Sequence, residues 1–139
     1  NSRNVVPGRV FFSVEFRHPD EAVLAVQDQQ LHAAVARIAE GIGLQASVKQ
    51  IFQYAPIAFD KDCEDVVQVA AEALGYSHRR MISGAGHDAC YLNQVAPTAM
   101  IFVPCVDGLS HNEAEEIHPH WSTAGADVLL QAILASSGE

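Results

Sequence analysis

Hydrophobic and polar positions alternate cleanly from Val10 to Arg17. Val10, Phe12, Val14 and Phe16 share one face and Phe11, Ser13, Glu15 and Arg17 the other, a period of two that predicts a half-buried β-strand. Pro7-Gly8 before the run is a turn, and Pro19-Asp20 after it ends the strand and offers Asp20 as a helix N-cap. The period then lengthens. From Glu21 to about Glu40, Leu24, Leu31, Val35 and Ile38 recur at helical spacing, and Gly41 and Gly43 end the helix. Ala46 to Tyr54, rich in β-branched and aromatic residues and closed by Pro56, predicts a second strand.

Near Ile57 to Asp60 the character changes, which predicts a domain boundary. Asp60 or Asp62 can cap a helix through Val66, Val67, Val69, Ala70 and Leu74 that Gly75 terminates. A glycine-rich segment around His87 and a short helix to about Gln94 follow. Thr98 to Val103 then lacks alternation, which predicts a strand buried on both faces. Asp107-Gly108 is a turn, and Trp121 to Leu134 predicts the last helix, with Ala126, Leu129, Leu130 and Ile133 on one face. Strands mixed with helices make the expected class α/β. No internal repeat or low-complexity segment is evident.

Composition narrows the partners. The 139 residues are 49% hydrophobic and 18% charged, enough apolar surface for a modest core and too little charge for disorder. A formal charge of -9 offers no basic surface to nucleic acid or an anionic membrane. Cys63, Cys90 and Cys105 are odd in number and show no paired spacing, which favours a reducing, cytoplasmic setting. No signal peptide or membrane-length apolar run is seen. The opening Asn1-Ser2-Arg3-Asn4, with no initiator Met before a strong strand, reads as the middle of a longer protein.

The candidate chemistry centres on two segments, Ser83-Gly84-Ala85-Gly86-His87-Asp88-Ala89 and Gly108-Leu109-Ser110-His111. Glycines on both sides of Ala85 allow a sharp turn and close approach to a ligand. Two histidines on loops at the ends of apolar elements suit a hydrolytic metal site, because imidazole is the commonest zinc ligand, yet either can equally be a satisfied loop histidine. Glu115 can orient the His111 loop or belong to an exposed acidic group with Glu113 and Glu116. Arg17 can bind a carboxylate bidentately or pair with Glu15 or Asp20, and Asn4 can donate to the same ligand or be an ordinary turn residue. His118 and His120 flank Pro119, which points to a helix-start turn more than to ligands. His18, His32 and His78 read as surface residues and the cysteines as small core side chains.

These motifs coincide with a known pattern. Asn4-Val5-Val6-Pro7-Gly8 with Val14-Glu15-Phe16-Arg17-His18, the Ser83 to Ala89 segment, and Phe102-Val103-Pro104 with Gly108-Leu109-Ser110-His111 and Glu115 lie in family order and spacing. The chain resembles the C-terminal part of the zinc-dependent amidohydrolases that cleave N-carbamoyl-L-amino acids, N-carbamoyl-β-alanine and allantoate, relatives of aminoacylase and carboxypeptidase-type metallohydrolases. That resemblance implies the second half of an inserted α+β lid and dimerisation domain over residues 1–57, then the end of an α/β metal-binding domain over residues 58–139. It implies His111 as a metal ligand, Asn4 and Arg17 as residues holding the substrate carboxylate, and His87 as the residue contacting the scissile carbonyl. Two divalent ions are implied, Zn2+ first, with Mn2+, Co2+ or Ni2+ as alternatives, together with a homodimer. The remaining ligands and the glutamate base would lie in an N-terminal half outside this sequence, so this stretch alone is expected to bind metal weakly and hydrolyse nothing. The substrate stays open between a carbamoyl amino acid and allantoate, and a non-catalytic dimerisation fragment is the alternative of a different class.

Overall fold

The computed structural model of the chain describes residues 3–138, so Asn1, Ser2 and Glu139 lie outside the described residues. The chain divides into two units, Asn1–Pro56 and Ile57–Glu139.

The first unit contains one long helix, α1 (Glu21–Ile42). Asp20 starts it, in extended backbone, by accepting the Ala22 N–H at 2.8 Å, which satisfies one of the free amides of the first turn. Gly43 stops it at φ 69, a left-handed conformation that glycine adopts without a Cβ penalty, and the Leu44 N–H then bonds back to the Ala39 carbonyl at 2.9 Å. Leu24, Leu31 and Val35 are half-buried as their spacing implies, but Ile38 is exposed. No residue of α1 is fully buried.

The second unit is built on α2 (Lys61–Ala73) and α4 (Pro119–Ser137), with the single turn α3 (Ala89–Leu92) between them. Asp60, not Asp62, caps α2 by accepting the Cys63 N–H at 2.9 Å. Those amide contacts hold the Asp60 carboxyl below its ordinary range, while burial and the neighbouring Asp60 push the Cys63 thiol up. Helices α2 and α4 pack through Ala70 and Ala71 against Val128 and Ala132, and Val66, Val67, Tyr76 and Ile101 close around them. Small side chains at the crossing let the helix axes approach closely. Tyr76 Oη donates to Asp127 Oδ2 at 2.8 Å, tying the segment after α2 to α4 and raising the tyrosine pKa. Gly125 is needed where α4 meets Val103, because a Cβ there would lie 2.6 Å from Val103 Cγ1.

Three expectations are corrected. Among the described residues there is no β-strand, so Val10 to Arg17, Ala46 to Tyr54 and Thr98 to Val103 are not paired into a sheet and the α/β class becomes four helices with irregular connections. A strand owes its stability to a ladder of hydrogen bonds with a neighbour, and among the described residues none of these runs is part of such a ladder, although the Thr98 carbonyl accepts the Asp60 N–H at 3.0 Å. Neither face of the first run is buried: Phe11 is 84% and Phe12 80% exposed. Thr98 to Val103 is half-buried to exposed, packed on one side by Ile101. Last, α4 faces its partner with Val128 and Ala132, whereas Leu129, Leu130 and Ile133 are exposed. Its sequence is apolar nearly all round, so periodicity could not choose the face, and the smaller side chains won the close contact.

Candidate functional site

Unit one carries Asn4 and Arg17. Asn4 lies in an exposed turn. Arg17 is exposed, and its Nε donates to Glu15 Oε1 at 2.6 Å, an i,i+2 pair on one side of the run. That hydrogen bond and its charge hold the Glu15 carboxyl below the usual carboxylate range. The guanidinium is therefore already committed on one edge to a carboxylate, the group type it is expected to recognise.

In unit two the Ser83 to Ala89 segment gets its form from side chains. Ser83 Oγ accepts the Ala85 N–H at 3.1 Å. The chain bends at Ala85 between the two glycines, although neither Gly84 nor Gly86 takes positive φ, and a Cβ at Gly86 would meet nothing within 4 Å. His87 Nδ1 accepts the Ala89 N–H at 3.0 Å, capping the first amide of α3. An accepting Nδ1 in a neutral ring leaves the proton on Nε2, so His87 presents an N–H donor away from its own backbone.

The His111 loop is held at both ends. The Val106 N–H donates to the Glu116 carbonyl at 2.8 Å, and residues Val106–Gly108 form a 3-10 turn with Asp107 at φ 55 and Gly108 at φ 68. His111 itself sits at φ 56, a conformation that costs a non-glycine residue about 1–2 kcal/mol and persists only when its surroundings enforce it. Its N–H donates to Glu115 Oε2 at 2.9 Å. Asn112 shapes the intervening turn, its Oδ1 accepting the Ala114 N–H and its carbonyl the Glu115 N–H, each at 2.9 Å. Spacing alone pointed to Glu115, but the part of Asn112 went unread. Its signal is an asparagine two residues before the amide it caps.

The expected metal can be tested on this donor set. The bond that fixes His111 uses its backbone N–H, which leaves the imidazole to a ligand, so His111 fits one coordination position. Among the described residues no three His, Cys, Asp or Glu side chains converge as a metal-holding group, so a full shell needs donors from elsewhere. His118 and His120 are not among them: His118 is the N-cap of α4, the two rings stack at 5.6 Å, and the His118 ring lies 4.5 Å from Trp121. Cys63, Cys90 and Cys105 are half-buried free thiols. His32 and His78 lie near acidic neighbours, Asp28 at 3.8 Å and Glu72 at 3.5 Å. No helix of the described residues is long and apolar enough to cross a membrane.

The model of peptidase family M20/M25/M40 matches residues 4–135. The chain belongs to that family. It is 49% identical over 137 residues to an N-carbamoyl-L-amino-acid amidohydrolase of Rhizobium meliloti, covering 99% of this chain and 33% of that protein. It is 36% identical over 115 residues to an allantoate amidohydrolase of Escherichia coli, covering 83% and 28%. Among solved structures, an amidase of the hydantoinase/carbamoylase family from Burkholderia multivorans superposes with a TM-score of 0.93 at 62% identity, over 100% of this chain and 34% of that one. The chain thus spans about a third of the length of the relatives it matches.

Proposed function

We propose that this member of the M20/M25/M40 family is part of a metal-dependent amidohydrolase that cleaves the carbamoyl C–N bond of N-carbamoyl-L-amino acids. The observation that carries the reading is the 49% identity to such an enzyme along 99% of the chain. In it, His111 supplies one imidazole to the metal site, held by its loop. Two divalent ions, zinc foremost, would provide Lewis acidity and an activated water when bound. His87 donates from Nε2 to the carbonyl oxygen as negative charge develops there, with Nδ1 occupied by the Ala89 amide so that the donor faces outward. Arg17 and Asn4 hold the substrate carboxylate, a role for which a guanidinium fork is suited. The first unit also serves as lid and dimerisation surface, which gives its exposed apolar residues a use.

Allantoate is the second reading, favoured by the 36% identity to an allantoate amidohydrolase. Both substrates carry a ureido carbon and a carboxylate, so the chain's own residues serve either. Turnover by the full-length protein of an N-carbamoyl-L-amino acid series and of allantoate, with Zn2+ or Mn2+ supplied, decides between them. His111→Ala should abolish both metal uptake and turnover. Full metal content in that variant would remove the central residue of the proposal, and self-association of this chain in a full-length protein without turnover would favour a dimerisation module instead.

A further inference from the structure

We infer that Glu115 is a positioning residue for His111, setting the direction of the imidazole by holding the backbone from which it projects. The inference rests on the proposed reading of His111 as a metal ligand. His111 lies exposed on a loop at φ 56, a conformation uncommon for a non-glycine residue. In the ordinary β or right-handed regions its Cα–Cβ bond would point elsewhere, so the backbone conformation determines where the ring can reach. The acceptor on its N–H is a carboxylate oxygen, Glu115 Oε2 at 2.9 Å, and a charged acceptor makes the stronger kind of hydrogen bond.

The loop is arranged to deliver that carboxylate. The Asn112 carbonyl accepts the Glu115 N–H and Asn112 Oδ1 accepts the Ala114 N–H, folding residues 112–115 into a turn. That turn brings the Glu115 side chain back to His111, while Glu116 contributes only its carbonyl, to Val106. Within the acidic run Glu113, Glu115 and Glu116, the structure therefore separates one residue with a defined task from the solvated reading of the group. Because the bond reaches the ligand's backbone and not its ring, Glu115 acts on the placement of the imidazole, and an uncharged acceptor of the same length can substitute for it.

The test compares Glu115→Ala, Glu115→Gln and His111→Ala in the full-length protein, using Zn2+ alone titrated against a competing chelator. Amide exchange of the peptide containing His111, the thermal midpoint, and kcat and KM are read alongside. Loss of an outer partner of a metal ligand weakens binding by about 10–100-fold. Glu115→Ala should show a weakening of that order, faster exchange at His111 and a lower kcat with KM little changed, and Glu115→Gln should recover most of each. If Glu115→Ala fails to fold, Glu115→Gln decides: near-native Zn2+ affinity and exchange support the inference, and the affinity of a ligand-deficient site overturns it. Native Zn2+ affinity in Glu115→Ala while His111→Ala binds none overturns this inference alone. Native affinity in His111→Ala overturns the metal reading itself.

Discussion

The two units bury their apolar residues very differently, and not in proportion to how hydrophobic they are. The first carries Phe11, Phe12, Phe16, Phe52 and Tyr54, yet buries none of them fully, and Phe52 and Tyr54 meet only edge to face at 4.2 Å. The second buries Ala70, Ala71, Ala89, Val128 and Ala132, all small or medium side chains. What differs is the presence of a matching surface. Two helices with small faces can close on one another, whereas a lone helix beside extended runs that form no strand among the described residues leaves large side chains uncovered. The candidate chemistry differs too: His87 is held through its ring by the Ala89 amide and His111 through its backbone N–H by the Glu115 carboxylate across a folded loop, whereas Arg17 pairs with Glu15 two residues away on an extended run. Under the proposed function the second unit carries the reacting groups and the first carries recognition.

That division is open to direct attack, and after the loss expected of His111→Ala the largest effect should come from His87. His87→Ala in the full-length protein removes the Nε2 donor, and loss of one such donor costs about 10²–10³ in rate. The loss should appear in kcat, measured at saturating N-carbamoyl-L-amino acid; an unchanged kcat would remove His87 from the reaction. Next comes Arg17→Lys. An ammonium cannot make two parallel hydrogen bonds to a carboxylate, so KM should rise by about tenfold to a hundredfold with kcat nearly preserved. Asn4→Ala should raise the same parameter less. A defect of Arg17→Lys confined to kcat would sink the assignment of recognition to the first unit.

Helix boundaries were the most legible features of the sequence, because they depend on residues within a few positions. Asp20 and Gly43 bracket α1, and Asp60 and Gly75 bracket α2, as their types imply. The strands were not legible as structure, since the alternation from Val10 to Arg17 records a preference that only a neighbouring run can satisfy. The face of α4 failed for a related reason: with Leu129, Leu130 and Ile133 as apolar as Val128, only the small partner residues of α2 decide which side is buried. At the site, residue types and motif spacing pointed to His87 and His111. The left-handed backbone of His111 and the turn made by Asn112 could not be read, because they arise from contacts across the loop.

A smaller effect probes the packing that distinguishes the second unit. Gly125→Ala adds a Cβ 2.6 Å from Val103 Cγ1, too close for either atom to stay in place. Overpacking costs about 1–3 kcal/mol, and the better helix propensity of alanine returns up to about 1 kcal/mol. The net expectation is a destabilisation of about 1 kcal/mol in the denaturant unfolding of the full-length protein. A stabilised variant would mean that α4 and the Val103 segment are not pressed together, and the contrast between the units would weaken. Gly8→Ala in the first unit, where a Cβ meets nothing within 4 Å, is the matched control.

The smallest effect concerns the rim of that packing, and it carries a definite sign with pH. Asp65 takes hydrogen bonds from Lys61 and Arg80, which hold its carboxyl below the ordinary value of 3.8, and Arg80 also reaches Glu64 and Gln68 along α2. A carboxyl whose pKa is lowered by folding contributes stability that is complete above its unfolded value and disappears as the pH falls through the lower, folded one. Asp65→Asn should therefore lower the thermal midpoint slightly at neutral pH, with the difference from the native protein closing as the pH drops from about 5 to below 3.8. The side chains are partly exposed, so salt should shrink the difference as well. A gap that widens on acidification, or that ignores salt, would show that Asp65 acts by something other than its charge.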